Sequence, residues 1–122
     1  MVAFLKTLKH QVSPYRVVGQ LNEAAKRGKV VFARARCSDC HEGKHFTSRS
    51  TFKVGLAPKR YVYREFNPPS LRGVYRRRRF LHDGRADTLH EVLTQYHRAE
   101  KLTGVKLTAA DLQDLIAFLK SL

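Results

Sequence analysis

Cys37-Ser38-Asp39-Cys40-His41 contains both cysteines of this 122-residue chain and the histidine that follows them. The order C-x-x-C-H is the attachment motif of a c-type haem. Each thiol can add to one vinyl group of the macrocycle, giving two thioether bonds. The imidazole of the next residue can then reach the iron from the proximal side. A four-cysteine zinc site is excluded by count. The competing reading is a thioredoxin-like redox pair, which normally lacks the trailing histidine and sits between a strand and a helix. The motif predicts one covalent haem c per chain, held by Cys37 and Cys40, with His41 as iron ligand.

The chain on either side of the motif reads as helix, long loop, helix, helix. Asn22 is an N-cap for a helix over about 23–35. Gly28 and Phe32 are four apart and share a face of it. A glycine inside a helix costs about 1 kcal/mol relative to alanine, so close approach of the last helix is the expected reason for Gly28. From Glu42 to about Ala86 the pattern is loop-like, with Pro58, Pro68 and Pro69. Tyr61-Val62-Tyr63 reads as a short extended piece. So long a structureless stretch is unusual in a compact domain, and it makes sense as a wrap around a cofactor. Phe46, Phe52, Val54, Leu56, Phe66, Leu71, Phe80 and Leu81 would supply its wall. Thr88, with Glu91 three residues on, starts the next helix as a capping box. Leu89, Val92, Leu93 and Tyr96 then follow the i, i+3, i+4, i+7 stripe. Thr108 and Asp111 open the last helix, where Leu112, Leu115, Ile116 and Leu119 form the stripe. The expected fold is all-α, with three main helices and a long haem-wrapping loop.

Charge speaks to partners rather than to fold. The chain carries 24 Lys+Arg against 10 Asp+Glu, a formal net charge of +14. The expected partner is a redox protein or neighbouring haem domain with an acidic surface. Arg76 to Arg79 form a basic cluster of the kind that binds phosphates. No nucleic-acid fold signature accompanies it, so nucleic acid is not expected. A solvated charge run, or pairing of one or two arginines with haem propionates, is the reading instead. No run is apolar and long enough to cross a membrane. Met1 to Leu5 is too short for a signal-peptide core. Covalent haem is normally attached outside the cytoplasm. The expected location is therefore periplasmic or otherwise extracytoplasmic, with a signal removed or upstream in a longer parent protein.

Val2-Ala3-Phe4-Leu5-Lys6-Thr7-Leu8 closely echoes Ile116-Ala117-Phe118-Leu119-Lys120-Ser121-Leu122. Two unrelated amphipathic helix ends would also give such an echo. The reading preferred is a unit of a tandem array. Residues 1–19 are then an N-terminal helix and linker, the end of a preceding haem domain, with the linker at Ser13-Pro14-Tyr15. Residues 20–122 are a mono-haem domain.

Several segments together resemble the C-terminal haem domain of the bacterial di-haem cytochrome c peroxidase and MauG-like family. They are Arg27-Gly28-Lys29-Val30-Val31-Phe32, Cys37 to His41, Phe46-Thr47, Phe52 to Leu56, Pro69-Ser70-Leu71-Arg72-Gly73-Val74, His82-Asp83-Gly84-Arg85, Thr88 to Leu93, and Leu107 to Leu122. The resemblance spans about residues 20–122. It implies a cytochrome c fold whose haem serves electron uptake or electron sharing, and it marks Arg72 and His82 as residues near the cofactor. In that family the distal ligand lies fourteen residues after the histidine of H-D-G, as methionine in the peroxidases and tyrosine in MauG-like members. Here that position is Tyr96. The chain departs from the family at Arg77-Arg78-Arg79-Phe80. The usual stretch there helps hold an inter-domain calcium, and the added positive charge argues against a cation. The peroxide-binding domain of the two-haem enzymes has no counterpart in these residues, so peroxidase activity is not implied for them alone.

The distal side of the iron stays open among several candidates. Met1 is the only methionine and a poor candidate at a terminus. Tyr96 is preferred, against the plain alternative of a core tyrosine with a satisfied hydroxyl. His97, about 100° further round an α-helix, is the next candidate, against a solvated surface histidine. His82 precedes a tight turn and is expected to be a buried hydrogen-bonding residue near the haem rather than a ligand. An open distal site is the remaining option. His10, His45 and His90 are expected to be solvated. The leading function is one-electron transfer by a c-type haem in a module of a larger multi-haem protein. The alternatives are a haem enzyme module of MauG or peroxidase type, and a gas or redox sensor with a displaceable ligand.

Overall fold

The computed structural model describes all 122 residues. Its helices are α1 (Val2–Thr7), α2 (Glu23–Arg34), α3 (Leu89–Glu91, continued by a wider turn over Val92–Tyr96), α4 (Ala99–Thr103) and α5 (Ala109–Lys120). There is no strand. Backbone pairing outside the helices is limited to three isolated bridges, Val17–Gln20, Phe52–Phe66 and Phe80–Ala86. Tyr61 to Tyr63 lie in irregular chain beyond the second of these, not in an extended strand.

The crossing of α2 and α5 organises the molecule. Asn22 caps α2 by accepting from the Ala25 N–H at 2.8 Å. Thr108 and Asp111 form a complete capping box on α5. The two helices touch at Gly28, where an added Cβ would collide with the backbone carbonyl of Asp114. The crossing is flanked by Phe32 and Phe118, with ring centroids 5.4 Å apart. Arg27 grips Asp114 with two hydrogen bonds of 2.7 Å, and Arg34 pairs with Asp111 at 2.5 Å. The buried face of α5 is Leu115, Phe118 and Leu119, continued by Leu122. Leu112 and Ile116, expected on that face, are only half-buried. Contact at Gly28 brings Phe118 inward and turns the face towards it.

The chain before α2 docks on the end of α5. Ser13 is buried and donates to the Lys120 carbonyl at 2.5 Å. Arg16 donates to the Ser121 carbonyl at 2.8 Å. These contacts satisfy helix-end carbonyls that lack partners within the helix. Helix α1 buries nothing. Its Phe4, Leu5 and Leu8 are 56–64% exposed, whereas the matching Phe118, Leu119 and Leu122 of the echoed segment are 2–7% exposed.

Candidate functional site

A cavity of about 340 Å³ opens between the α2/α5 pair, α3 and the long loop. Its lining is mainly apolar. Phe52, Val54, Leu56, Phe66, Leu71, Phe80 and Leu81, expected as the loop wall, all face it. Phe46 does not. It packs between Phe32 and Phe118, with centroid distances of 5.7 and 6.0 Å, behind the site.

Cys37, Cys40 and His41 lie together on the cavity wall. A single tight turn over Cys37–Asp39 positions them, closed by His41 N–H donating to the Cys37 carbonyl at 2.9 Å. Burial pushes the Cys37 thiol up to about 11 and also raises Cys40. A redox-active C-x-x-C pair works the other way, with a depressed pKa and a standing thiolate. The environment therefore counts against the thioredoxin-like reading.

His41 is oriented from behind. Its Nδ1 lies 3.1 Å from the Phe46 carbonyl. A carbonyl only accepts, so Nδ1 carries the proton and Nε2 keeps its lone pair for a metal. Burial lowers the His41 pKa, which favours this neutral form. Phe46 reaches the position with φ +52, left-handed backbone that a bulky residue rarely adopts. Arg36, just before the motif, has φ +59, and Leu81, before His82, has φ +70. Such backbone costs about 1–3 kcal/mol per residue and persists where packing over-determines it. Three of these residues flank this one site.

The other wall carries His97 rather than Tyr96. His97 faces the cavity, and its ring centroid is 6.3 Å from that of His41 with the planes 83° apart. Its Nδ1 is buried without a hydrogen-bond partner. Burial, and then the nearby His41, hold its pKa down to about 4. It is not the solvated residue that an α-period places there. Tyr96 is half-buried and outside the cavity lining. The guanidinium carbon of Arg85 lies 5.8 Å from its ring centroid. The reason lies in the backbone. Thr88 caps α3 by accepting from the Glu91 N–H at 3.0 Å, while the Glu91 carboxylate reaches Asp87 N–H instead of Thr88. After Glu91 the helix widens, and the His97 N–H bonds the Val92 carbonyl at 2.7 Å, five residues back. One residue is thus added to the turn. The interior position that four-residue spacing from Val92 assigns to Tyr96 passes to His97. A local signal is Thr94, whose hydroxyl donates to the His90 carbonyl at 2.8 Å and competes with the regular ladder.

His82 lines the cavity, with 23% of its side chain exposed. It lies against Phe66 at 4.5 Å and against Tyr61 at 5.9 Å, centroid to centroid. Arg72 is exposed and lines a separate cavity of about 240 Å³ on the far side of Phe46. Arg77 and Arg79 of the basic cluster do reach the main cavity. His10, His45 and His90 are exposed.

The arrangement fits a haem. Two thiols and a histidine with a free ring nitrogen occupy one wall, and a histidine with an orphaned buried nitrogen faces them. Two imidazoles bound to opposite sides of one metal ion, each at about 2.0 Å, have ring centroids roughly 6 Å apart. The apolar lining suits the faces of a macrocycle, and the two arginines suit its carboxylates. Fold and site thus define a helical domain built around a flat, covalently held iron cofactor. The chain belongs to the cytochrome c family, whose sequence model matches residues 25–122. Members carry covalently bound haem c and transfer electrons through it. The chain is 28% identical to the methylamine utilization protein MauG of Methylophilus methylotrophus, over an alignment covering 100% of this chain and 45% of that protein. Its fold superposes with a TM-score of 0.78 on hydrazine synthase from Kuenenia stuttgartiensis, at 24% identity, over 99% of this chain and 53% of that one. The chain therefore spans about half the length of the proteins it matches. No helix is long and apolar enough to cross a membrane.

Proposed function

We propose that this domain is a one-electron carrier with a single haem c, working as one module of a larger multi-haem, extracytoplasmic protein. Cys37 and Cys40 hold the haem, and His41 and His97 ligate the iron. The observation that carries the reading is the facing pair His41 and His97, 6.3 Å apart across an apolar cavity. When bound, the haem supplies an iron that cycles between ferric and ferrous states. The chain's own residues do the rest. Phe46 fixes the tautomer of His41 through its carbonyl. Arg77 and Arg79 offer guanidinium groups to the propionates. The apolar wall excludes water, which limits side reactions and sets the local dielectric that tunes the potential. With His41 and His97 both donating neutral nitrogen, the iron would be held by the chain on both sides, which would suit electron transfer rather than binding of a substrate to iron. Tyr96 is then a half-buried residue stacked beneath Arg85.

The likeness to MauG supports a second reading, a redox enzyme module, in which Tyr96, at the position that family resemblance assigns to the distal ligand, would be on the iron. Spectra separate the two. The electron-carrier reading expects a low-spin spectrum in both oxidation states, indifferent to carbon monoxide and peroxide. His97→Ala should convert the ferric form to high spin and admit carbon monoxide to the ferrous form. Tyr96→Phe should leave the low-spin spectrum intact. The opposite pattern, with Tyr96→Phe opening the site, would return the ligand to the tyrosine and favour the enzyme.

A further inference from the structure

We propose that the loop Lys59-Arg60-Tyr61-Val62-Tyr63-Arg64 is the docking tip for an acidic redox protein, with Tyr61 and His82 bridging the tip to the haem cavity. The proposal rests on the haem-carrier reading and names where its partner binds.

The tip is a held structure. Phe52 and Phe66 pair at its base with reciprocal backbone hydrogen bonds of 3.0 Å, and both rings line the cavity. Tyr61 N–H donates to the Pro58 carbonyl at 2.9 Å. Arg64 donates to the Lys59 carbonyl at 3.1 Å and closes the loop. All six tip residues are exposed, Val62 by 91% and Tyr63 by 85%. Two tyrosines and a valine ringed by three cations match the anatomy of a protein interface. Aromatic anchors sit at the centre of such interfaces, and charges at the rim steer the encounter.

The segment that carries the tip also holds most of the net charge of the molecule. Residues 43–82 contain eleven Lys and Arg against one acid, Glu65. That acid is already engaged by Thr51 at 2.8 Å and lies 3.9 Å from Lys53. The segment that wraps the cavity thus carries +10 of the net +14. A partner seated on it must present carboxylates.

The tip also leads inward. Tyr61 lies 5.9 Å from His82, and His82 lines the cavity. A carrier docked on the tip is separated from the haem cavity by one tyrosine and one histidine. The exchange is a single electron: the reduced partner loses one, the ferric haem gains one, and no bond is made or broken. An anionic membrane fits the tip less well. Only one aliphatic side chain projects, and no amphipathic helix accompanies it to bury an apolar face among lipids.

The test uses the haem-loaded chain and reduced flavodoxin, an acidic one-electron carrier, as probe. Lys59→Gln/Arg60→Gln/Arg64→Gln should lower the bimolecular reduction rate about tenfold at low salt, and the difference should vanish at high salt. Lys6→Gln/Lys9→Gln/Lys101→Gln, an equal charge change elsewhere, should change it less than about twofold. Val62→Ser/Tyr63→Ser should slow it several-fold at every salt concentration. A carbodiimide, which joins lysine to carboxylate, should cross-link flavodoxin to Lys59 in preference to Lys101. Dithionite reduction and the spectrum should be unchanged in all variants. Equal losses in both triple variants would overturn the proposal, as would tip-dependent capture by phosphatidylglycerol vesicles with no effect on the flavodoxin rate. A wild-type chain without a haem spectrum would instead overturn the reading beneath it.

Discussion

The α2/α5 pair and the segment from Thr88 to His97 are both helical, and both begin at a side-chain cap. They differ in period. In α2 and α5 the regular spacing holds from end to end, and the crossing only rotates the buried face of α5, taking Phe118 inside and leaving Leu112 and Ile116 half-buried. After Glu91 the turn takes in one extra residue, and the side chain delivered to the cavity is the next one along. Packing residues tolerate a shared, approximate face. A ligand does not, because one residue decides which atom reaches the metal. The regular pair therefore acts as a scaffold with strict local rules. The wider turn is where the site departs from them, as such turns frequently do.

The largest test of this contrast is at the scaffold. Gly28→Ala adds a methyl group where the Asp114 carbonyl already lies, with the Phe118 Cβ 2.8 Å away. The obstacle is backbone, so α5 must move. Alanine's better helix propensity, worth about 1 kcal/mol, is outweighed by overpacking of about 3 kcal/mol. The melting temperature of the haem-loaded protein should fall by several degrees or more. An unchanged or higher melting temperature would show that the two helices do not meet at Gly28.

The same contrast explains what could be read in advance. The helix starts at Asn22, Thr88 and Thr108 were legible, because short polar caps and apolar stripes are local. So was the cavity wall, apart from Phe46. The haem motif was legible because both thiols and the histidine fall within five residues. The identity of the facing histidine was not. The wide turn goes with a Thr94 hydroxyl that bonds the His90 carbonyl beside the ladder, and apolar periodicity carries no trace of it. Arg36, Phe46 and Leu81 were equally hidden. Their left-handed backbone is imposed by tertiary packing on residues that are not glycine. Arg72 was placed near the cofactor by family position, yet it faces the other side of Phe46.

Charge provides a second and smaller test of the scaffold against the loop. Asp114 is held below the usual carboxylate range chiefly by its hydrogen bond from Arg27. Asp111 is held below it by Thr108 and then by Arg34. Their pKa values are lowered on folding, so folding favours the ionised forms. The stabilisation is fully present above the unfolded value near 4 and is lost as pH falls through the lower folded values. Asp83, on the loop, is lowered further, to about 2, by Arg85. That partner is only two residues away, and an unfolded chain keeps the two close. Melting temperature followed from pH 5 to pH 2 should fall less steeply in Asp111→Asn/Asp114→Asn than in the wild type. Asp83→Asn should change the slope least, despite its lower pKa. If Asp83→Asn has the larger effect, the loop rather than the crossing sets acid stability.

The smallest expected effect is the most discriminating. Deleting Gln95, an exposed residue of the wide turn, leaves the His97 N–H four residues along from the Val92 carbonyl in place of five. The turn can then close as an ordinary α-turn. His97 takes the position that regular spacing from Val92 assigns to the interior, and Tyr96 moves back one step towards solvent. If His97 is the ligand, the low-spin spectrum should survive the deletion with only a small change in potential, and His97→Ala in the shortened chain should abolish it. If Tyr96 is the ligand, the same deletion carries it away from the iron and the spectrum turns high-spin. One residue removed from the surface thus separates two readings that differ by one position in the sequence.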